Sequence, residues 1–288
     1  MFVFNADIPL HLEEFRLLRD FIYQYCGLYF SEDSKYLLEK RLNKRLLDLR
    51  LANFRDYYFQ LRYGQQRDQE LATAIDLLTT NETYFFREEF QLKTFIEEVI
   101  PEIVRAKEGR SDKQLRIWSA GCSSGEEPYT LAMLLLDQQL PRGWNVEIIG
   151  TDICQRVLKI AREGIYGEHS FRAMSAEYRE RFFTPVDQKW QIDDRVRSLV
   201  SISHLNLLDR SRVRLLGQMD VIFCRNVIIY FDLDAKRRVI KTLRDSLNPE
   251  GYLMLGHSES LMNISTDFKL RHFANDMVYQ RPGSDGGA

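Results

Sequence analysis

The 288-residue chain has no apolar run near the ~18 residues that a membrane span requires. Its first apolar stretch, residues 2–10, carries Asp7 and lacks a basic leader, which excludes a signal peptide. Cysteine is scarce: Cys26, Cys122, Cys154 and Cys224 lie far apart with no CxxC pair. That argues against a zinc site and a disulfide framework and fits a reducing cytoplasm. Charge of one sign is missing too. Forty basic side chains face forty-two acidic ones, a net charge of −2, so electrostatic recognition must be local and nucleic acid is not an expected partner. There is no internal repeat, and no convincing constellation of His, Cys or Lys for acid–base or nucleophilic catalysis. What is present is ordinary: 44% hydrophobic and 28% charged residues exclude disorder as the main state, and the length suits about two domains.

The first eighty residues have helical periodicity and no good strand. Leu12–Cys26 places Phe15, Leu18, Ile22 and Tyr25 on one face, with Gly27 as a stop signal. Residues 35–49, capped by Ser31 or Asp33, carry the stripe Leu38, Leu42, Leu46 and Leu49; residues 54–63 and 70–78 supply two further short helices. Beyond Gln114 the pattern alternates. Apolar runs at 115–120, 146–150, 219–224 and 251–256 are separated by helices at 126–140, 153–163 and 234–247, which predicts a mostly parallel sheet covered on both faces. Residues 166–200 break the alternation: a helix near 175–182, then 189–202 as a small hairpin or subdomain inserted beside the sheet. Residues 268–270 and 277–280 suit a terminal antiparallel pair. A helix over 97–109 bridges to the sheet, and the boundary falls near Leu92, giving a helical domain over 1–91 and an α/β domain over 92–288 with an insert at about 166–203.

Four stretches carry chemistry. In Ile117-Trp118-Ser119-Ala120-Gly121-Cys122-Ser123-Ser124-Gly125-Glu126-Glu127-Pro128 a strand enters a glycine turn and opens a helix, bringing free N–H groups to a place where a ligand can approach the backbone. Glu126 and Glu127 in the mouth disfavour a pyrophosphate and favour a positively charged ligand; either also reads as a first-turn acid opposite the helix dipole. Asp152 ends the second strand, where nucleotide-binding sheets hold ribose hydroxyls, or else caps the next helix. At the exit of the strand over 219–224, Arg225, Asn226 and Tyr230 are polar groups in an apolar segment, and Asn206 has the same character among Leu205, Leu207 and Leu208. Tyr230 also reads as a core aromatic. Thr79, Thr80, Asn81 and Thr83, followed by aromatics and Arg87, are more than a linker needs, and also read as a surface loop with a capping role.

Together TTNETYFFRE, WSAGCSSGEEPYTLAM, HLNLLD, DVIFCRNVIIYF and GYLMLGHSESL resemble the bacterial chemotaxis-receptor glutamate methyltransferases, the CheR family, over nearly the whole chain. The resemblance implies an S-adenosylmethionine-dependent, Rossmann-like methyltransferase sheet of seven strands with a small β-subdomain, preceded by a small all-α domain. It places Asn81, Thr83, Arg87, Glu127, Asp152, Asn206, Leu207, Cys224 and Arg225 around the donor, with Arg87 near its methionine end. Tyr230 matches the tyrosine next to the transferred methyl, so Tyr230 and Arg87 carry the catalytic roles as positioning groups. No metal is implied, and Cys224 is a poor nucleophile because a lone strand-end cysteine is usually packing. Between Phe183 and Asn206 the chain is shorter than in members that dock on a receptor's C-terminal pentapeptide, which weighs against tethering here.

The implied reaction is methyl transfer to the γ-carboxylate of receptor glutamates. A glutamate side chain with a reference pKa of about 4.3 is ionised at neutral pH and needs no general base, leaving alignment and exclusion of water to the protein. The expected partner is the cytoplasmic helical region of chemotaxis receptors, engaged by a monomer without membrane insertion. Residues 35–50 hold six basic residues against two acids, with Arg41, Lys44 and Arg45 spaced to share one helix face. By themselves they read as a solvated face; the resemblance turns them into receptor-binding groups. A methyltransferase for another carboxylate and a non-catalytic nucleoside-binding module are the competing classes.

Overall fold

The computed structural model describes residues 7–109, 113–138, 140 and 143–283. Two compact units emerge, one comprising the helical region up to Thr80 together with Tyr230–Asp232, the other Asn81–Ile229 and the chain from Leu233 onward.

The helical unit contains α1 (Leu12–Cys26), α2 (Lys35–Asp48), α3 (Phe54–Tyr63) and α4 (Arg67–Leu78). Gly27 ends α1 with a left-handed backbone, φ 78°, as C′ glycines do. The Asn53 side chain accepts the Asp56 N–H and caps α3. Phe15, Leu18, Ile22, Leu38, Leu42, Leu46, Phe54 and Tyr57 are fully buried, but Tyr25 of the expected α1 stripe is 37% exposed and Cys26 is buried instead. Leu49 lies just past α2 and is only half-buried. Neither Ser31 nor Asp33 caps α2: Ser31 precedes a short 3-10 turn, Glu32–Ser34, and makes no side-chain cap. Tyr230–Asp232 joins this unit through local bonds. Leu28 bridges Phe231, the Tyr29 N–H donates to the Tyr230 carbonyl at 3.0 Å, and the Tyr23 hydroxyl donates to Asp232 at 3.1 Å.

The second unit opens with α5 (Glu89–Thr94), which runs through a π-helical turn, Phe95–Val99, into α6 (Ile100–Ala106). There follow β1 (Gln114–Ala120), α7 (Glu126–Gln138), β2 (Asn145–Asp152), α8 (Gln155–Glu163), β3 (Ile165–Tyr166), α9 (Ala176–Phe182), β4 (Phe183–Val186), β5 (Lys189–Ile192), α10 (Asp194–Arg197), β6 (Val200–His204), α11 (Arg210–Arg214), β7 (Met219–Cys224), α12 (Leu233–Asp245), β8 (Leu247–Leu255), β9 (Lys269–His272) and β10 (Met277–Gln280). Among the described residues seven strands form one sheet, in the order β6-β2-β1-β7-β8-β10-β9. β6, β2, β1, β7 and β8 are parallel, while β10 and β9 close the edge antiparallel. All six residues of β7 are buried, as expected of a strand covered on both faces. The order reverses between β1 and β7, the switch point at which ligands bind beyond the carboxyl ends of the strands.

Three expectations need correction. Residues 189–202 are not one hairpin. β4 and β5 form the hairpin, and with β3 they make a separate three-stranded sheet. Val200 onward is instead β6, an edge strand of the large sheet beside β2, so the insert ends before Val200. Alternation is shared by both segments, and only pairing distinguishes them. The units also divide between Thr80 and Asn81, earlier than the Leu92 expected from the helical pattern. Phe85 is the reason: it is fully buried against Tyr166, Phe171 and Phe183 of the sheet unit. Finally, residue 247 begins β8 rather than ending α12.

Candidate active site

The turn after β1 is fixed by its backbone. Gly121 and Cys122 both donate their N–H to the Thr151 carbonyl of β2, at 2.8 and 2.9 Å, so the turn lies against the end of the neighbouring strand. Gly121 has φ +88° and Gly125 φ +93°, a region that costs any residue with a Cβ. A Cβ on Gly121 would in addition collide with Val227 Cγ2. We expect Gly121→Ala to lower stability by about 1–3 kcal/mol through strain. Thermal melting checks this; a wild-type melting curve would mean that the turn absorbs the change.

Asp152 ends β2, and its two oxygens are held separately. The Ser123 N–H donates to one at 2.8 Å and the Cys154 N–H to the other at 2.9 Å. The carboxylate therefore joins the glycine turn to Cys154, the residue that opens α8. Asn81 lies across the same turn. Its carbonyl accepts the Ser123 hydroxyl at 3.1 Å, and its amide meets the Cys154 sulfur at 3.4 Å. Asn206 and Leu207 follow the point where the Leu205 N–H donates to the Asp152 carbonyl at 3.0 Å. The Asn206 side chain accepts the Leu208 N–H at 3.0 Å, and Leu207 is nearly buried. Asn81, Asp152, Asn206 and Leu207 thus gather beyond the ends of β1, β2 and β6.

The two glutamates of the turn have different tasks. Glu126 is 2% exposed and accepts the Ser124 hydroxyl at 2.7 Å and the Ser170 hydroxyl at 3.0 Å. It fastens the inserted segment to the turn, and burial pushes its carboxyl above the usual range. Glu127 accepts the Ser119 hydroxyl at 2.7 Å and faces Arg225 at 3.2 Å. Burial raises its carboxyl too, with Arg225 opposing.

Arg225, whose side chain is 3% exposed, is the centre of this half of the site. Its guanidinium reaches Glu88 at 2.9 Å and Glu127 at 3.2 Å, and donates to the Arg87 carbonyl at 2.7 Å. The Arg87 side chain turns back to the Glu82 carbonyl at 3.1 Å, its guanidinium 5.7 Å from the Tyr84 ring. One buried cation between two carboxylates leaves a formal charge of −1, which suits a cationic ligand and repels an anionic one. Cys224, just before it, is fully buried with its thiol pushed well above the usual range by that burial. Such a thiol is inert. Thr83 is half-buried on the segment between Asn81 and Arg87.

The remaining expected residues belong to the helical unit. Tyr230 is 37% exposed, with its backbone bound to Tyr29. Of the basic face on α2, only Lys44 points freely outward. Arg41 donates to the Leu78 carbonyl at 2.5 Å and the Thr80 hydroxyl at 3.0 Å. Arg45 pairs with the buried Glu70 at 2.5 Å, and that bond raises its pKa. Sequence reasoning missed Ser119, Glu88, Ser123 and Ser170. Ser119, Glu88 and Ser123 lie within the motifs and Ser170 within the insert, but a serine or an acid gives no sign of its partner before the chain folds. Among the described residues no group of three or more His, Cys, Asp or Glu is placed to hold a metal, and no helix is long and apolar enough to cross a membrane.

A doubly wound sheet with a glycine turn after β1, an acid ending β2 and an anionic cluster at the switch point defines a nucleoside-binding methyltransferase unit. Residues 81–276 match the family profile described as CheR methyltransferase, SAM binding domain, and residues 13–79 match CheR methyltransferase, all-alpha domain. The chain belongs to the CheR methyltransferase family, and it is an S-adenosylmethionine-dependent methyltransferase. It is 39% identical to chemotaxis protein methyltransferase 2 of Vibrio cholerae over 283 residues, covering 96% of this chain and 95% of that one. It is 34% identical to chemotaxis protein methyltransferase 1 of Pseudomonas aeruginosa, covering 93% and 97%. With the chemotaxis protein methyltransferase of Borreliella burgdorferi it shares 35% identity, covering 90% and 92%.

Proposed function

We propose that this protein esterifies the γ-carboxylate of glutamate residues in the cytoplasmic helical region of chemotaxis receptors, with S-adenosylmethionine as methyl donor, acting in the cytoplasm as a monomer and without a metal. The observation that carries the donor half is the buried Glu88–Arg225–Glu127 cluster beside the Gly121 turn, whose excess negative charge complements a cation. The acceptor half is supported by near-full-length relatives named as chemotaxis protein methyltransferases.

When bound, S-adenosylmethionine supplies an electrophilic methyl group on a sulfonium. Glu127 and the glycine turn would hold its amino-acid end, Asp152 its ribose, and Asn206, Leu207 and the Cys224–Arg225 strand end its adenosine and pocket edge, with Asn81, Thr83 and Arg87 along the same site. No residue of this chain needs to remove a proton, because the acceptor carboxylate is already ionised at neutral pH. The work of the chain is alignment and exclusion of water, and the loss of charge as anion and cation combine favours a dry pocket. Tyr230 would align the methyl group, and Lys44, with Arg41 and Arg45 beside it, would face the acidic methylation helices. β4 and β5 are joined by a two-residue turn, Asp187 and Gln188, which supports docking without a C-terminal tether.

Incorporation of labelled methyl from the donor into receptor-containing membranes tests the reading. Methylation of soluble proteins alone would favour another carboxylate substrate, and donor binding without transfer would favour a non-catalytic module. We further expect Tyr230→Phe to lower kcat by about tenfold or more with S-adenosylhomocysteine affinity changed by less than about threefold, as for an interaction made in the transition state. A variant with wild-type kcat would return Tyr230 to a packing role.

A further inference from the structure

Beyond the donor residues, the carboxyl ends of β7 and β8 are joined by one side chain. Glu259 lies in the loop after β8, and its carboxylate accepts three backbone N–H groups from two loops. Asn226 donates to Oε2 at 2.7 Å, Gly256 to Oε2 at 2.8 Å and Val227 to Oε1 at 3.0 Å. Glu259 also donates its own N–H to the Gly256 carbonyl at 2.8 Å. Three charge-assisted bonds to main chain are stronger than neutral ones and fix direction as well as distance.

The held loop would not adopt this shape unaided. Asn226 has φ 58°, and its side-chain oxygen is buried without a partner. Asparagine tolerates the left-handed region, but a buried oxygen without a partner costs free energy that the surroundings must offset. Room for the arrangement comes from Gly256, where a Cβ would lie 2.9 Å from Asn226 Nδ2 and 3.0 Å from Glu259 Oε2. Val227, the next residue, fills the space that a Cβ on Gly121 would need. The loops after β1, β7 and β8 are therefore interlocked through Val227 and Glu259. The segment so held carries Arg225 on one side and leads directly into Tyr230 on the other.

We propose that Glu259 is a positioning residue for methyl transfer. Its carboxylate fixes the main chain at Asn226 and Val227, and with it the segment that leads into Tyr230. It need not touch donor or acceptor. The inference rests on the methyl-transfer reading above. Burial raises the Glu259 carboxyl above the usual range, and the loop N–H groups oppose that rise by favouring the ionised, acceptor-only form.

The test uses the full chain with Glu259→Gln, which removes the charge and turns an N–H donor toward N–H donors. Amide exchange over residues 225–229 should accelerate. Receptor kcat should fall by about tenfold or more, because small displacements of aligned groups are costly. KM for receptor and the Kd of S-adenosylhomocysteine should stay within about threefold. Should this variant not fold, Glu259→Asp, which keeps the charge one methylene short, carries the same measurements. Unchanged exchange, or faster exchange with wild-type kcat, would overturn the proposal. So would a fall in kcat matched by an equal loss of product affinity or of folded protein, which marks a structural role only. A wild-type chain that fails to methylate receptor would overturn the functional reading and the catalytic part of this inference, whereas the exchange data decide separately whether Glu259 holds the loop.

Discussion

Replacing Arg225 with methionine is expected to lower folding stability by about 3–5 kcal/mol and to reduce binding of S-adenosylhomocysteine below calorimetric detection. The guanidinium bridges Glu88 and Glu127 with its side chain 3% exposed, while the His257 imidazole reaches Glu88 alone, at 4.0 Å. Methionine fills similar volume but leaves two carboxylates facing each other out of water. Burial already raises the Glu127 carboxyl, and Arg225 is the largest opposing influence. Without it Glu127 takes up a proton more readily, so the cluster keeps its net −1 on Glu88 alone and the charge beside the glycine turn is lost. The Ser119 hydroxyl and the Arg87 carbonyl keep or lose partners accordingly. Chemical denaturation and calorimetry measure both effects. Adding Glu88→Gln to the variant should recover part of the stability, since the two sites are in contact and not additive. A single variant with the wild-type denaturation midpoint would mean that the cluster contributes little.

The second large effect separates two neighbours on α2. Arg45→Glu is expected to destabilise the helical unit by on the order of 3–5 kcal/mol. Arg45 reaches Glu70 through two bonds, Nε at 2.9 Å and Nη2 at 2.5 Å, and Glu70 also accepts the Tyr57 hydroxyl at 2.8 Å. The side chain of Glu70 is 6% exposed, so reversal would set one carboxylate against another in a buried place. Lys44→Glu, one position earlier and exposed, is expected to leave the melting curve unchanged. If α2 is the receptor-facing surface, that variant should raise KM for receptor several-fold at low salt, with the difference shrinking as ionic strength rises. Methylation kinetics at two or more salt concentrations, beside thermal melts, check both variants. A stable Arg45→Glu protein would return Arg45 to the solvated face. An unchanged KM for Lys44→Glu at low salt would move receptor docking away from α2.

The contrast between Lys44 and Arg45 shows where sequence reading stops. Spacing places Arg41, Lys44 and Arg45 on one face, and that is correct as geometry. Whether a guanidinium is free depends on Glu70, twenty-five positions away, and no local pattern contains that information. The same holds for Glu259, which the motif GYLMLGHSESL includes without indicating its bonds to Asn226 and Val227.

What the sequence by itself determined follows from local physics. Helical periodicity set α1, α2 and α3 close to their observed limits, because apolar spacing must match 3.6 residues per turn. The apolar run over 219–224 coincided with β7, and the glycine turn fell between β1 and α7 as expected. The quoted motifs also identified the family, because several fixed sets of residues at fixed order are far more specific than any one of them. Only the tertiary structure decided the rest. It assigned Val200–His204 to the large sheet, since alternation is identical in an edge strand and a hairpin and only hydrogen-bonded pairing separates them. It moved the division of the chain to Thr80, because Phe85 finds its core with Tyr166, Phe171 and Phe183. And it chose the partners of every buried charge, a choice set by distance in space, which sequence separation does not encode.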